Sequence, residues 1–449
     1  RQTLQARGQS ALINKAIVLR GNNFGIDGNA GLSRNPETFI VPPSVATGTS
    51  ISGNSVVEIT SCCIELDGFY ISGDNPKLTG TKSYYGKEYE ASYCIGGVGT
   101  IDDLHITNNI VSNFMYAGMN LSGGLYATKR NKIDYCLVKG GEFKSDGIKL
   151  TDNFYTNISN VTIDSTGRGL GFYDFSDKAN RQSRFSFLTI RSEMVGIAIS
   201  DFLNFSDSLY FEFSNITSLD PAQAFNGFWL NNLASTGRID MFTTTINKAD
   251  KAYYFNNCGT NMIYTLSDQS IFDVNYGIYG IQGGISPDIQ INLFNTSIKN
   301  ADSSAVYLYS DGGLTTLNTK DVVIKTSKNG LVGIGNVSIL PTNTQFETIA
   351  KYYMYLDSTA AGIYPTTAVD ARNCVYEGTS GNSLSNREPF NVEDKIHHYL
   401  DNPKLGWILF DKQNIYVTDF DGNSSLARAI NIAQDDWNIF LDSINTYED

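Results

Sequence analysis

The chain has 449 residues, of which 41% are hydrophobic, 12% are aromatic and 18% are charged, and its formal net charge is −13. This composition excludes a disordered chain, and its many Gly, Asn, Ser and Thr residues favour an all-β protein with frequent turns. The acidic charge argues against nucleic acid and anionic membranes as partners. No apolar run is long enough for a transmembrane helix, so we expect no membrane insertion.

The first predicted strands lie between residues 12 and 40. The run from Ile13 to Leu19 alternates between apolar and other positions, which predicts a strand, and Arg20 and Gly21 follow it. Residues 1–11 are polar and contain no segment that predicts a capping helix. The solenoid predicted below therefore begins without a cap of its own.

The six cysteines fit neither a metal-site spacing nor a disulfide scaffold; they are Cys62, Cys63, Cys94, Cys136, Cys258 and Cys374. We expect buried thiols that pack as small apolar side chains. Cys62 and Cys63 are neighbours in a predicted strand, where successive side chains point to opposite faces. We therefore expect no disulfide between them.

A repeated anchor is the main signal. A Gly or Ala is followed by alternating apolar residues about every 25 residues; these anchors are Gly118, Gly147, Gly169, Gly196, Gly227, Ala252, Gly277, Ala305 and Gly330. A second column lies six residues before five of the anchors; it consists of Ile163, Ile190, Ile246, Ile271 and Ile324. Short polar turns separate the two columns.

This period, with two or three short strands in each repeat, predicts stacked coils of a β-solenoid. A single coil cannot bury its apolar side chains, whereas stacking at about 4.8 Å buries them and pairs every strand in parallel. The sequence lacks the Leu/Asn consensus of leucine-rich repeats, and its apolar period of two argues against helical repeats.

The repeat resembles the right-handed parallel β-helix of the pectin-lyase-like class, and the resemblance covers most of the chain. It implies about 10 to 13 coils. It does not imply one activity, because this fold hosts lyases, hydrolases, adhesins and inert fibres.

A column of Asn and Asp lies five residues after successive anchors; it consists of Asp152, Asp174, Asp201, Asn232 and Asn257. In pectate-lyase-like enzymes, which the fold resembles, such acids bind Ca²⁺ and a nearby Arg or Lys removes a proton from the substrate. Asp152, Asp174 and Asp201 would then bind Ca²⁺, with Arg168 or Lys178 as the base. The alternative is a ladder of turn residues without chemistry, since Asn and Asp tolerate left-handed turns.

Two further groups of side chains each allow two interpretations. His397 and His398 lie beside Glu393 and Asp394, which allows either a metal site or a polar surface helix. Aromatic clusters occur at 84–93, 172–175 and 352–355. Stacked rings inside the solenoid account for them, and a sugar-binding platform, best placed in segment 74–93, is the alternative.

The C-terminal stretch predicts a strand, a helix and a second strand. The strand at 415–417 precedes the N-cap candidates Ser424 and Ser425, and the segment from Trp437 to Leu441 forms the second strand. "NTYED" at the end resembles the "G-x-Y-x-E" ending of the cap that precedes the first coil in many bacterial β-helix proteins. The start of this chain lacks such a cap.

The stretch 390–410 resembles the "E-D-K-I-x-H…D-x-x-x-G" connector of large bacterial secreted surface proteins; the matching residues are Glu393, Asp394, Lys395, Ile396, His398, Asp401 and Gly406. We therefore divide the chain into a solenoid at 1–385, a connector at 386–410 and a strand–helix–strand segment at 411–449.

Three arrangements remain open for the last segment. The chain is one unit of a longer tandem protein, or its last segment completes the N-terminal coil of another copy, or the segment caps its own solenoid. The residues expected at a joint between units are Ile13, Ile17, Leu19, Ile415, Val417, Leu426, Ile430, Trp437, Ile439 and Leu441.

We predict an extracellular or cell-surface structural unit of bacterial type, adhesive or fibrous, which associates head to tail and has no catalytic residues or cofactor. The alternative is a carbohydrate-active enzyme or carbohydrate-binding protein with an extracellular polysaccharide as partner. In that case the catalytic residues are Asp152, Asp174, Asp201, Arg168 and Lys178, and Ca²⁺ is the cofactor.

Overall fold

The computed structural model describes residues 3–5, 10–42, 55–78, 83–84, 87–88, 90–97, 99, 101–122, 130–141, 143–151, 156–173, 182–200, 208–233, 237–258, 262–284, 288–418 and 426–442. The protein is nearly all β, with 61% strand and 5% helix, and its parallel coils form a β-solenoid of about 11 turns. The predicted all-β solenoid is therefore confirmed. Neither α-helix among these residues has the length and apolar character needed to cross a bilayer.

The chain divides into two compact units, unit 1 (Arg1–Ile239) and unit 2 (Asp240–Asp449). The strands that lie within unit 1 are β1 (Thr3–Gln5), β2 (Ala11–Ile13), β3 (Ile17–Arg20), β4 (Thr38–Val41), β5 (Ser55–Ile59), β6 (Ile64–Asp67), β7 (Phe69–Ser72), β8 (Ser83–Tyr84), β9 (Lys87–Glu88), β10 (Tyr93–Gly97), β11 (Leu104–Thr107), β12 (Ile110–Phe114), β13 (Ala117–Ser122), β14 (Asn131–Asp134), β15 (Leu137–Gly141), β16 (Asp146–Thr151), β17 (Thr156–Ser159), β18 (Thr162–Tyr173), β19 (Gln182–Ser186), β20 (Thr189–Ser200), β21 (Ser208–Glu212), β22 (Asn215–Ser218) and β23 (Asn226–Asn231). A short 3-10 helix occupies Gly31–Ser33.

Strand β24 (Arg238–Phe242) contains the boundary between the units. The elements that follow are β25 (Thr245–Asn256), β26 (Met262–Ser267), β27 (Ser270–Gln282), β28 (Ile289–Phe294), β29 (Ser297–Lys320), β30 (Val323–Thr342), β31 (Gln345–Asp357), β32 (Val369–Asp370), β33 (Val375–Tyr376), β34 (Thr379–Ser380), α1 (Glu388–Glu393), β35 (Ile396–His397), β36 (Ile408–Leu409), β37 (Asn414–Val417), α2 (Leu426–Ile432) and β38 (Asn438–Leu441). A second 3-10 helix occupies Gly381–Ser383.

Within each unit, strands one coil apart pair in parallel and build three ladders. In unit 1, the first ladder contains β5, β10, β13 and β16, the second contains β6, β11, β14 and β17, and the third contains β7, β12 and β15. In unit 2, the long strands β27, β29 and β30 each run through a corner and contribute to more than one ladder. The ladder geometry places equivalent residues of successive coils directly beside one another.

The two columns predicted from the sequence lie in the core. All five isoleucines of the second column are buried, and Ile163 pairs with Ile190 while Ile246 pairs with Ile271 across neighbouring coils. Aromatic side chains extend the core of unit 1, where the rings of Phe185 and Phe211 stack with centroids 4.8 Å apart. Burial of each such side chain stabilises the stack by about 1.5–3 kcal/mol.

The anchor glycines lie at positions where neighbouring coils approach closely. A Cβ atom on Gly169 would lie 2.5 Å from the carbonyl oxygen of Gly196, and one on Gly196 would lie 2.6 Å from that of Gly227. These distances are shorter than a carbon–oxygen contact allows, so a side chain there requires the coils to separate. The close approach explains the recurrence of glycine at this position in unit 1.

One corner of the coil uses the same two-residue turn in both units. Its first residue has a left-handed backbone, with φ between 46° and 58° at Asn108, Tyr135, Asn160, Asp268 and Asn295. The amide N–H of this residue donates to a carbonyl of the next coil, and the residue that follows it is buried. The turn therefore extends the backbone pairing around the corner.

The predicted C-terminal strand–helix–strand is present and forms one further coil. Strand β37 pairs in parallel with β38, and α2 connects them along the chain. Ile415, Val417 and Ala429 form a buried cluster with Leu400 of the predicted connector. Residues 414–417 and 426–442 therefore pack on their own chain, whereas the three-part division at 385 and 410 stays a prediction.

The prediction for the adjacent cysteines is wrong in its local structure. Cys62 and Cys63 lie in the turn between β5 and β6 rather than in a strand, and Cys63 has a left-handed φ of 59°. Their side chains meet, with the Sγ atoms 2.9 Å apart, and both residues are exposed. The other four cysteines are buried, as expected.

Substitution of an anchor tests the close approach of the coils. We expect Gly196→Val to lower the free energy of unfolding by about 1–3 kcal/mol, because the new side chain meets the Gly227 carbonyl and Ile216. Urea unfolding measures the change. Thr217→Val, on the half-buried side of β22, is the control that should leave stability nearly unchanged. Equal losses in both variants would contradict the account.

Candidate functional site

The predicted acid cluster lies largely outside the described residues. Four of the five residues predicted for this site are not described, namely Asp152, Asp174, Lys178 and Asp201. Their mutual placement and their Ca²⁺ and catalytic roles stay predictions. The described members of the Asn/Asp column, Asn232 and Asn257, both adopt left-handed turns, and the Asn257 side chain accepts a hydrogen bond from the Gly283 amide at 3.1 Å.

The fifth predicted residue, Arg168, pairs with a different acid. It lies on β18 in register with Asp146 of β16, one coil away. Its Nε atom is 2.7 Å from Asp146 Oδ1, and the Tyr173 hydroxyl donates to the same oxygen at 3.3 Å. The Lys149 ammonium lies over the Tyr173 ring. The sequence reasoning missed Asp146 because it lies one residue before an anchor rather than in the Asn/Asp column.

The surroundings of Asp146 raise its pKa. Burial is the larger cause, and the positive charges of Arg168 and Lys149 oppose it. Burial also raises the pKa of Tyr173, and the Asp146 carboxylate adds to that effect. The role of Arg168 as a catalytic base stays a prediction.

No group of three or more His, Cys, Asp or Glu side chains is placed to hold a metal ion in the described part of the chain. The histidine pair is also not on a surface helix, so that expectation is wrong. Helix α1 ends at Glu393, and His398 is buried, with Nε2 2.9 Å from Glu393 Oε1. Its Nδ1 accepts a hydrogen bond from the Ile408 amide at 3.0 Å.

The buried pair of His398 and Glu393 joins two parts of the predicted connector. Burial alone would lower the pKa of His398, but the neighbouring Glu393 carboxylate raises it overall. Burial raises the pKa of Glu393, and His398 counteracts this. With both ring nitrogens engaged, the pair joins the end of α1 to strand β36. This arrangement is structural.

A row of tyrosines follows one face of unit 2. Tyr254, Tyr279 and Tyr307 occupy the same register position on three consecutive coils, and all three are half-buried. The same register position continues through Val332 and Tyr355 to His397 of the predicted connector. We call Tyr254, Tyr279 and Tyr307 the tyrosine row. The residues that precede them in sequence are buried, so the row faces away from the core.

The rings of the tyrosine row contact one another. Tyr279 and Tyr307 stack with centroids 5.1 Å apart, and the Lys251 ammonium lies 5.1 Å from the centroid of Tyr279. Burial raises the pKa of Tyr279 to about 12, with further contributions from neighbouring tyrosines and Asp250. The hydroxyl groups therefore stay protonated at neutral pH and can donate hydrogen bonds.

Segment 74–93, the sugar-binding platform predicted from the sequence, is only partly described. The side chains of residues 79–89 lie outside the described part. Tyr93 lies with its ring centroid 6.4 Å from that of Tyr116. The tyrosine row was not predicted from the sequence. A signal for it was present, since a Tyr recurs two residues after each of the anchors Ala252, Gly277 and Ala305.

The last coil ends in a partly exposed apolar edge, which we call the C-terminal edge and define as Ile439, Phe440 and Leu441. Ile439 and Leu441 are in register with Ile415 and Val417, which are buried in the preceding coil. Leu441 is nevertheless 43% exposed. Among the described residues, β38 pairs with β37 alone, so one side of this strand has no neighbouring strand there.

Two contacts fix the last coil on its own chain. The Phe440 ring stacks on Tyr416 with centroids 5.1 Å apart, and Tyr416 in turn stacks on Phe410. The Arg387 guanidinium forms an ion pair with the buried Asp442 carboxylate at 2.9 Å. The C-terminal edge is therefore held in place by its own unit.

The first coil of unit 1 has a partly exposed edge, which we call the N-terminal edge and define as Leu12, Ile17, Val18 and Leu19. Strands β2 and β3 pair only with β5 and β6 in the described part of the chain. Leu12 and Val18 are 56% and 53% exposed, and Ile17 and Leu19 are half-buried.

The residues predicted at a joint between units fall into three groups. Ile13, Ile415 and Val417 are buried within the chain. Ile17, Leu19, Leu426, Trp437 and Ile439 are half-buried. Ile430 and Leu441 are exposed. Their assembly role stays a prediction.

Removal of the Arg168 charge tests the electrostatics of Asp146. We expect Arg168→Met to destabilise unit 1 by about 1–3 kcal/mol at pH 7, because it leaves a buried carboxylate without its main counter-charge. The raised pKa means that the folded state binds a proton at Asp146 more tightly than the unfolded state does. The deficit should therefore shrink as the pH falls through that pKa.

Urea unfolding at pH 7 and pH 4 measures the deficit. In an Asp146→Asn background, the same arginine substitution should cost less and lose its pH dependence. A deficit of Arg168→Met that stays constant between the two pH values would show that Asp146 does not carry it.

Comparisons of the chain with protein-family models, with curated proteins and with solved structures find no match.

Proposed function

We propose that the protein is a structural β-solenoid unit that associates head to tail, the C-terminal edge of one copy joining the N-terminal edge of the next. A heterologous contact of this kind produces a filament when its rotation does not close a ring, and an open filament is the form we propose. A location outside the cell or at its surface, with a fibrous or adhesive role, belongs to the same proposal.

The observation that carries the proposal is the exposure of inward-facing side chains at the C-terminal edge. Leu441 occupies the position at which Val417, one coil earlier, is fully buried. A stacked coil on the outer side of β38 would bury Leu441 and Ile439 in the same way. Burial of an exposed Leu contributes up to about 1.5–3 kcal/mol.

The N-terminal edge of a second copy can occupy this position, because its strand direction and the charges beside it complement the C-terminal edge. Its strands are parallel members of a stack, as β38 is, so they can extend the same ladders. Lys15 is exposed beside the N-terminal edge, where Arg20 pairs with Glu65, and Asp435 and Asp436 are exposed beside the C-terminal edge. Opposite charges on the two edges favour head-to-tail pairing over pairing of like ends.

Backbone pairing adds to the apolar contribution. An open strand edge presents unpaired N–H and C=O groups that bind another strand readily. Two edges of limited length bury too little area for a tight dimer by themselves, so we expect association that strengthens with concentration.

Substitution at the C-terminal edge tests the proposal. We expect the wild-type protein to form larger species as its concentration rises, and Leu441→Asp to weaken this association at least about tenfold, because the carboxylate would be buried in the joint. Sedimentation velocity over a concentration series measures the effect, and electron microscopy shows whether filaments form.

Leu340→Asp is the matched control, because Leu340 is 44% exposed on β30, away from the C-terminal edge. It should associate as the wild type does. Thermal unfolding establishes that both variants are folded. A wild-type protein that stays monomeric at every concentration, or equal weakening by both substitutions, would overturn the proposal.

The tyrosine row favours a second candidate function, the binding of a polysaccharide. Three tyrosines at equal register on consecutive coils present hydroxyl groups and ring edges at a regular spacing, with Lys251 beside them. A chain of sugar residues is a periodic ligand with hydroxyl groups that accept and donate hydrogen bonds.

Binding to neutral and acidic polysaccharides tests this candidate. If the row binds one of them, Tyr279→Ala should weaken affinity at least about tenfold, because it removes the central ring and hydroxyl group, and Tyr279→Phe should weaken it less. Isothermal titration calorimetry measures both. Tyr135→Ala, at an exposed tyrosine of unit 1, is the control. Unchanged affinity in Tyr279→Ala would exclude the row as the site.

A further inference from the structure

The turn between β5 and β6 places two thiols in direct contact. The Sγ atoms of Cys62 and Cys63 lie 2.9 Å apart, and both residues are exposed. The left-handed backbone of Cys63 brings the side chains together, and its amide N–H donates to the Asp102 carbonyl at 3.0 Å. The turn is thereby held against the next coil while its sulfur atoms remain at the surface.

The other cysteines are chemically distinct from this pair. Cys94, Cys136, Cys258 and Cys374 are buried. Burial raises the pKa of Cys94, Cys136 and Cys374 to about 12, so these thiols hold their protons at neutral pH. Because the thiolate is the reactive form, exposed Cys62 and Cys63 are the thiols that a reagent in solution meets first.

We propose that Cys62 and Cys63 form a redox-active vicinal dithiol that exchanges with low-molecular-weight disulfides. The thiolate of one cysteine attacks the disulfide reagent, forms a mixed disulfide and releases one thiolate of the reagent. The neighbouring cysteine then loses its proton and attacks the mixed disulfide. It forms the Cys62–Cys63 bond and releases the second thiolate of the reagent, so the cysteine pair loses two electrons and two protons and the reagent gains them.

Contact between the sulfur atoms favours attack on the mixed disulfide by the neighbouring cysteine over attack by a thiol of another molecule. The resolving thiol is already within hydrogen-bond distance of its target, so the ring closes without a search of a long loop. Strands on both sides of the turn, β5 and β6, pair with neighbouring coils and keep it in place.

The resulting disulfide would be a reversible one. Adjacent Cα atoms across a trans peptide are about 3.8 Å apart, which is shorter than the roughly 4.4–6.8 Å that an unstrained disulfide spans. Strained, exposed disulfides have higher reduction potentials and are the labile ones. This chemistry suits a redox-responsive element at the corner of the coil rather than a structural cross-link.

Treatment of the reduced protein with oxidised glutathione tests the proposal. Intact mass spectrometry of the wild type should show loss of two hydrogen atoms without an adduct, and peptide mapping should place the bond between Cys62 and Cys63. Cys62→Ser and Cys63→Ser should stop at the glutathione adduct, because each lacks the resolving thiol. Cys94→Ala should behave as the wild type.

Phenylarsine oxide provides an independent readout, because trivalent arsenic bridges two neighbouring thiols. Prior treatment should block the reaction of the wild type with oxidised glutathione, and either serine variant should lose this protection. Wild-type protein that accumulates the glutathione adduct, forms disulfides between molecules or does not react would overturn the proposal. Circular dichroism of each variant establishes that it is folded.

Discussion

The open edge of a parallel coil is the constraint on which this structure depends. A coil that lies alone has unpaired N–H and C=O groups and exposed apolar side chains on both of its sides, and another coil in register satisfies both. Stacking therefore explains the close approach at Gly196 and the burial of columns such as Ile246 and Ile271. At the two ends of any stack, the outer coil still has unpaired N–H and C=O groups and exposed apolar side chains on one side.

Register has consequences at the surface as well as in the core. Because equivalent residues of successive coils lie side by side, a recurring Tyr becomes the tyrosine row, and an Arg one coil from an Asp becomes the Arg168–Asp146 pair. At the C-terminal edge the same rule aligns Leu441 with buried Val417 and leaves Leu441 exposed. The core, the candidate surfaces and the edges thus follow from one geometry.

The anchors and the isoleucine column could be predicted because one position is filled by similar residues in coil after coil. The left-handed corner could not, since its first residue varies between Asn, Tyr and Asp at positions such as Asn108, Tyr135 and Asp268. Cys62 and Cys63 were placed in a strand because no Gly or Pro marks their turn. Burial of His398 depends on contacts with Glu393 and Ile408 that local sequence does not contain.

Amide hydrogen exchange of β38 at low and high protein concentration tests the joint between copies most directly. If another coil stacks on the C-terminal edge, the amides of Phe440 and Leu441 and those of β2 and β3 should exchange more slowly at high concentration. The amides of β28, far from either edge in sequence and already paired on both sides, should not change. Exchange rates in β38 that are the same at every concentration would contradict the account.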